Sequence, residues 1–179
     1  MFMTDYSYDL KIPKERIAVL IGKSGEIKNL LEEATHTKIH IDSQEGDVNL
    51  KGNDPLTLFT VRDIVRAIAR GFNPEVAQLL LKQDYSFELV ELREFVKNKE
   101  QMPRIKGRII GKGGKARLII EDLTDTYMCV YGKTIGIIGL GEDVAMARRA
   151  IESLAAGSPH SSVYKWLEKK RREKRMISF

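Results

Sequence analysis

Val19-Leu20-Ile21-Gly22-Lys23-Ser24-Gly25-Glu26-Ile27 and Arg108-Ile109-Ile110-Gly111-Lys112-Gly113-Gly114-Lys115-Ala116 follow one plan: aliphatic residues, then a G-x-x-G loop, then the start of a helical pattern. The offset between them is 89 residues. It also carries Leu30-Leu31-Glu32-Glu33 onto Ile119-Ile120-Glu121-Asp122, and Thr37-Lys38-Ile39-His40-Ile41 onto Thr126-Tyr127-Met128-Cys129-Val130. Upstream, Tyr6-Ser7-Tyr8-Asp9-Leu10 aligns with Tyr85-Ser86-Phe87-Glu88-Leu89 at an offset of only 79, so the second copy holds an insertion between its first strand and its glycine loop. The chain is a duplicated unit of about 80 residues.

Working outward from the first loop, Tyr6 to Ile12 alternates as a strand, and Pro13 opens a short helix over 14–21. Ile27, Leu30, Leu31 and Ala34 predict a helix over 26–35. Strands follow at 37–42 and 47–52, and Asp54-Pro55 caps a helix reaching about Phe72. Asn73-Pro74 starts a linker helix to about Gln83, whose Val76, Ala77, Leu79, Leu80 and Leu81 are too apolar for a free tether and are expected to pack between the copies. The second copy predicts a strand at 85–91, inserted residues 92–101 and a helix to 110. A helix at 115–124, strands at 126–131 and 134–139 and a helix at 142–156 follow. After Gly157-Ser158-Pro159, a last helix from about Ser161 to Lys174 presents Val163, Trp166 and Leu167 on one face and ends in Lys169-Lys170-Arg171-Arg172. The segments are thus 1–73, a linker at 74–84, 85–157, and a basic C-terminal helix at 158–179.

The 179 residues suit two small domains, each able to bury a modest core without disulfides or metal. A single cysteine, Cys129, excludes an internal disulfide framework and reads as a small buried hydrophobe. The first residues lack the pattern of a secretory leader, and no apolar run approaches the ~20 residues of a membrane span. A cytoplasmic protein that meets no membrane is expected. His36, His40 and His160 are dispersed, so no metal site and no cofactor is predicted. The net charge of +5 is uneven: residues 1–84 carry 11 Lys/Arg against 13 Asp/Glu, and residues 85–179 carry 19 against 12. A polyanion would find the second half more attractive.

Glycine lets a ligand approach the backbone closely, and the helix that starts at G-x-x-G aims free N–H groups and its positive dipole end at that ligand. A phosphate fits this geometry. Gly22, Lys23, Ser24 and Gly25 form one candidate cradle; Gly111, Lys112, Gly113 and Gly114 form the other. Around the second, Arg104, Lys106, Arg108, Lys112, Lys115 and Arg117 occur with no Asp or Glu between Gln101 and Ile120, a phosphate track beside which Ile110 offers an apolar wall. The first stretch instead contains Glu15, Glu26, Glu32 and Glu33.

Both quoted stretches, in the order strand–helix–GxxG–helix–strand–strand–helix, resemble a type I KH domain. The resemblance implies an α+β fold: two tandem units, each a three-stranded antiparallel sheet covered by three helices, plus the C-terminal helix. It implies clamping of about four nucleotides of single-stranded nucleic acid against the loop. Nearly the whole chain, with its second-copy insertion and basic final helix, resembles the family of small-subunit ribosome assembly factors that includes partner of Nob one, Dim two and the Krr factors. That resemblance implies a non-enzymatic factor binding single-stranded RNA near the 3′ end of the small-subunit ribosomal RNA. It also implies contact with the endonuclease that trims that end and with the alpha subunit of translation initiation factor two. A protein-interaction scaffold with merely structural KH domains is the rival.

Other glycine motifs fit worse. A P-loop needs glycine at position 17, which is Ile17. The G-x-G-x-x-A match at Gly111 needs an acidic residue about 20 positions on, and Tyr131 stands there. Trp166, beside Val163 and Leu167, reads as packing.

Overall fold

A computed structural model describes residues 5–177. The chain divides between Gln83 and Asp84 into two compact units. The first runs β1 (Tyr6–Lys11), α1 (Lys14–Ile21), α2 (Glu26–Thr35), β2 (Lys38–Ile41), β3 (Asp47–Gly52) and α3 (Pro55–Ala69), then the single turn α4 (Pro74–Ala77) and a 3₁₀ turn (Gln78–Leu81). The second runs β4 (Tyr85–Glu91), a 3₁₀ turn (Leu92–Phe95), α5 (Gln101–Ile110), α6 (Lys115–Thr124), β5 (Tyr127–Tyr131), β6 (Thr134–Leu140), α7 (Gly141–Ala155) and α8 (His160–Ile177). Each unit has a three-stranded antiparallel sheet, ordered β1-β3-β2 and β4-β6-β5. The expected α+β organisation is therefore present in both copies.

Each sheet buries one face under its helices. In the first unit Ile17 and Leu20 of α1, Leu31 of α2 and Val61, Ile64, Val65 and Ile68 of α3 close over Ile39, Val48 and Leu50. In the second, Ile105, Ile109, Ile120, Val144, Ile151 and Leu154 close over Met128, Ile135 and Ile137. Burying each such side chain stabilises the fold by about 1.5–3 kcal/mol, so these small cores are sufficient.

The copies also share polar devices. Thr35 donates to the Leu31 carbonyl and its hydroxyl meets that of Thr37 at 2.8 Å; Thr124 and Thr126 repeat the pair at 2.8 Å, with Thr124 donating to Ile120. Buried hydroxyls require such partners, because an unpaired one costs about 1–3 kcal/mol. The Glu32 carboxylate accepts from the Ile39 N–H at 2.7 Å, and Glu121 accepts from Met128 at 2.6 Å, so each second helix is tied to its edge strand.

A second shared device fastens the helix before each glycine loop. Arg16 of α1 donates to the carbonyls of Ile68 and Phe72, both at 2.8 Å, at the end of α3. Arg108 of α5 donates to Leu154 at 3.0 Å and Ser158 at 2.6 Å, at the end of α7. Helix C-terminal carbonyls lack intrahelical donors, and a guanidinium supplies several in a rigid fork. Arg16 lies six residues before its loop glycine and Arg108 three, one helical turn apart, yet they reach equivalent ends.

The third helix was expected to reach Phe72. It ends at Ala69, because Gly71 turns the chain at φ +97° and Arg16 holds the released carbonyl. The segment after Pro74 is one α-turn and one 3₁₀ turn; Ala77 and Leu80 are buried and it packs on α3. The final helix extends to Ile177, past the expected Lys174. It packs on α6 and α7 through Val163 and Leu167, and Trp166 is half-buried under the Arg149 guanidinium at 4.8 Å. Cys129, expected to be buried, is half-buried: β5 is an edge strand and Cys129 alternates with inward Met128. Among the described residues no helix is long and apolar enough to cross a membrane, and no cluster of His, Cys, Asp and Glu could hold a metal.

Candidate nucleic-acid interface

The two loops have the same backbone. Gly22 has φ +75° and ψ 176°, and Gly111 has φ +74° and ψ 172°. A Cβ on Gly22 would lie 2.6 Å from Ile27 Cγ1, and one on Gly111 would lie 2.7 Å from the Ala116 nitrogen. Close packing of two helices therefore demands these glycines. Gly25 and Gly114 are left-handed at +81° and +79°. The residue between is left-handed too, Ser24 at +53° and Gly113 at +62°. A Cβ at Gly113 or Gly114 would meet nothing within 4 Å, so the second loop offers open backbone. No side chain caps the N-terminus of α2 or α6; the Glu26 and Lys115 amides turn back onto the Lys23 and Lys112 carbonyls.

The loops differ in charge. The first turn of α2 contains Glu26; that of α6 contains Lys115 and no acid. Beside α2 lies a cleft of about 400 Å³ containing Glu32 and Glu33. Beside α6 lies one of about 480 Å³ lined by Arg104, Arg108, Gly111, Lys112 and Lys115 from the predicted set, and by His160 and Tyr164.

Not all the predicted cations are available. Arg108 is engaged on two carbonyls. Arg117 donates to the Met128 carbonyl at 3.1 Å and pairs with Glu121 at 3.7 Å. Lys106 donates to the Gly132 carbonyl at 2.9 Å and lines, with Gly107 and Ile110, a groove between α5 and the β5–β6 turn. Arg104, Lys112 and Lys115 are exposed and have no hydrogen bond or ion pair among the described residues. Lys23 and Ser24 are likewise exposed on the first loop.

The final helix contributes residues that sequence reading missed. His160 donates through Nε2 to the Arg108 carbonyl at 2.7 Å and packs edge-on to Tyr164. Burial pushes the Tyr164 phenol above its ordinary value, so it remains a neutral hydroxyl facing the cleft. No local pattern announces this, because α8 reaches the cleft only through packing. On its inner side the basic end is spoken for: Arg171 pairs with Asp122 at 3.4 Å, and Lys174 pairs with Asp143 at 2.6 Å and Glu142 at 2.8 Å. Burial alone would lower the Lys174 pKa, but these carboxylates outweigh it and raise the value.

Comparison with known proteins bears on this geometry. A family model described as a eukaryotic-type KH domain (type I) matches residues 86–172, and one described as a KH domain matches residues 7–70. A KH domain-containing protein of Methanocaldococcus jannaschii is 42% identical over 174 residues, covering 95% of this chain and 76% of that protein. The pre-rRNA-processing protein pno1 of Aspergillus fumigatus is 31% identical over 166 residues, covering 88% of this chain and 66% of its own length. The chain thus spans about two thirds of that fungal protein. In the solved complex of a/eIF2alpha, aDim2p and rRNA from Pyrococcus horikoshii, a chain is similar at 45% identity and a TM-score of 0.88, with 94% of this chain and 96% of that one covered.

Proposed function

Because the chain belongs to the family of tandem KH-domain proteins that includes PNO1 and Dim2, we propose that it is a single-stranded RNA-binding factor of small ribosomal subunit assembly. It binds near the 3′ end of the small-subunit ribosomal RNA, mainly through the second KH domain. The observation that carries this reading is the open second loop with three unengaged cations around it, Arg104, Lys112 and Lys115. Gly111, Gly113 and Gly114 admit a phosphate to the α6 amides, and Lys112 and Lys115 neutralise it. The role is binding and not catalysis. A pre-rRNA-processing relative and an rRNA-bound relative support the same assignment.

The first KH domain has a second reading, as a protein contact. Its loop faces Glu26, and α3 exposes Leu56 and Phe59, with the Arg62 guanidinium stacked 3.7 Å from the Phe59 ring and 5.1 Å from Tyr8. Clustered aromatic and arginine side chains are the usual anchors of protein interfaces. The alpha subunit of translation initiation factor two and the 3′-end maturation endonuclease are the proposed partners.

Crosslinking the protein to its cellular RNA and sequencing the crosslinked fragments tests the assignment. Enrichment at the small-subunit 3′ end is expected. Crosslinks spread evenly over cellular RNA would overturn it.

A further inference from the structure

The last helix, α8, holds the charge surplus of the chain. Its 18 residues contain seven Lys/Arg against two Glu, a surplus of five that equals the formal charge of the whole protein, so the rest of the chain is neutral in sum. These cations fall into two sets. Arg171 pairs with Asp122 and Asp125 at 3.4 and 3.9 Å, and Lys174 pairs with Glu142 and the buried Asp143 of α7. With Val163 and Leu167 buried, these pairs fix the helix and its rotation on the second unit. Lys165, Lys169, Arg172 and Arg175 point the other way and are exposed. Among the described residues Lys165, Arg172 and Arg175 make no hydrogen bond or ion pair, and Lys169 has only a 4.0 Å contact with Glu173 while 70% exposed.

Lys165, Lys169 and Arg172 stand at i, i+4 and i+7, on one face of the helix, with Glu168 beside them. At a rise of 1.5 Å per residue they span about 10 Å, enough to meet roughly two or three successive phosphates of one strand. Like charges at this spacing destabilise an isolated helix, and a polyanion laid along the row relieves their repulsion. The row offers no ring on which a base could stack. Tyr164 turns into the cleft beside the glycine loop, and Trp166 is half-buried under Arg149. Proteins that hold single strands interleave cations with aromatic platforms. A row of cations alone matches a double helix, which stacks its bases inside and shows its phosphates outward. The row begins beside Tyr164, which lines one cleft with Gly111, Lys112 and Lys115, so it leads away from the second glycine loop. The first unit ends in α4 and a 3₁₀ turn and has no such helix.

We propose that the outer face of α8 is a docking rail for the backbone of a double-helical RNA segment, lying next to the single strand that the second glycine loop holds. The proposal rests on the RNA-binding reading of the second KH domain. Lys165, Lys169 and Arg172 meet phosphates of one strand, and Arg175 extends the row. Such contacts carry no sequence information; they position the duplex, and so fix where the unpaired segment begins relative to the loop. The second unit thus recognises a junction between paired and unpaired RNA, and not a single strand alone.

The test uses the full chain and fluorescence anisotropy. The probes are a single-stranded octamer from the 3′ end of the small-subunit ribosomal RNA and the same octamer carrying, at its 5′ or its 3′ end, a hairpin of about ten base pairs, one helical turn. The control is the octamer extended by unpaired oligouridine with the same number of nucleotides. The wild type is expected to bind the better of the two hairpin RNAs at least fivefold more tightly than the control, although both carry the same number of phosphates. Lys165→Gln/Lys169→Gln/Arg172→Gln, all at exposed positions, should abolish that gain and leave the bare octamer within twofold. For the hairpin RNA it should also make the slope of log K against log salt shallower by about 2–3. The Lys112→Asp/Gly113→Asp variant should weaken every RNA. If it does and the hairpin gives the wild type no gain, or the α8 variant weakens octamer and hairpin RNA alike, the rail is refuted while the loop assignment stands. If the loop variant leaves the octamer unchanged, the RNA-binding reading fails and the rail with it. A polyglutamate peptide that binds the wild type and not the α8 variant, with no gain from the hairpin, would assign this face to an acidic protein and overturn the proposal.

Discussion

Replacing Lys112 and Gly113 together with Asp puts two carboxylates where the phosphate is proposed to rest. The backbone tolerates the change. Gly113 is left-handed at φ +62°, but Ser24 occupies the equivalent place at +53° in the first loop, and Asp is among the residues that enter this region most readily. A Cβ at Gly113 would meet nothing within 4 Å, and Lys112 is exposed without a partner, so the fold should survive. The electrostatic change is three units of charge at the loop. One unit pair at about 5 Å in water is worth roughly 0.8 kcal/mol, and screening at physiological ionic strength halves it. The loss is therefore about 1.3 kcal/mol, close to tenfold in affinity. Fluorescence anisotropy with a labelled single-stranded RNA measures it. Lys23→Asp/Ser24→Asp should cost less, because Glu26 already opposes an anion there. A larger loss from the first-loop variant, or no loss from the second, would refute the assignment of affinity to the second domain.

Salt dependence gives an independent count. With Arg104, Lys112 and Lys115 as the available cations at the loop, log K for a tetramer should fall against log salt with a slope of about −2, and a flat line would mean that binding is not electrostatic. Gly111→Ala forces a Cβ to within 2.7 Å of the Ala116 nitrogen at φ +74°, and urea unfolding should show a loss of about 2–4 kcal/mol; Gly114→Ala, left-handed but open, should lose about 1–2 kcal/mol. Asp143→Ala removes a buried partner of Lys174 and should cost about 1–3 kcal/mol, below the range for a fully buried pair because Lys174 is one-third exposed and keeps Glu142; hydrogen exchange should show α8 loosened. Because the Lys174 pKa is raised in the fold, this stabilisation is fully present below the ordinary lysine value of 10.5 and fades only as pH rises through the raised one. A loss of the α8 contact already near neutral pH, followed by tyrosine and tryptophan fluorescence, would contradict this.

The sequence announced most of the fold because its punctuation is strong. Pro13, Asp54-Pro55 and the loop glycines mark helix ends that α1, α2, α3 and α6 respect, and the alternation from Tyr6 marks β1. Asp54 accepts from the Leu56 and Thr57 amides as its position foretold. Gly71 marks the end of α3 locally, but the fork by which Arg16 holds the Ile68 and Phe72 carbonyls is a tertiary contact, and no nearby residue predicts it. The candidate site shows the same division. The glycine loops and their unequal surroundings are legible in composition. Which arginine meets a carbonyl and which is free for a phosphate is not, since Arg104 and Arg108 are alike as letters. The groove between α5 and the β5–β6 turn was equally hidden, because it exists only where residues distant in the chain meet.

The arginine fastenings also bear on kinetics. Arg16 and Arg108 lock the helix that leads into each loop to the far end of another helix, so each loop is held in place before any ligand arrives. A clamp formed in advance has little backbone ordering to do on contact, so the conformational entropy lost on association is chiefly that of the RNA and of the exposed lysine and arginine side chains that meet it. Encounter should then be fast and steered by the basic face, and slow only as salt rises. Differences in affinity between RNA sequences should be found in how long a complex lasts and not in how quickly it forms. Loosening the fastening, for instance with Arg108→Met, should shift that balance and slow the encounter itself.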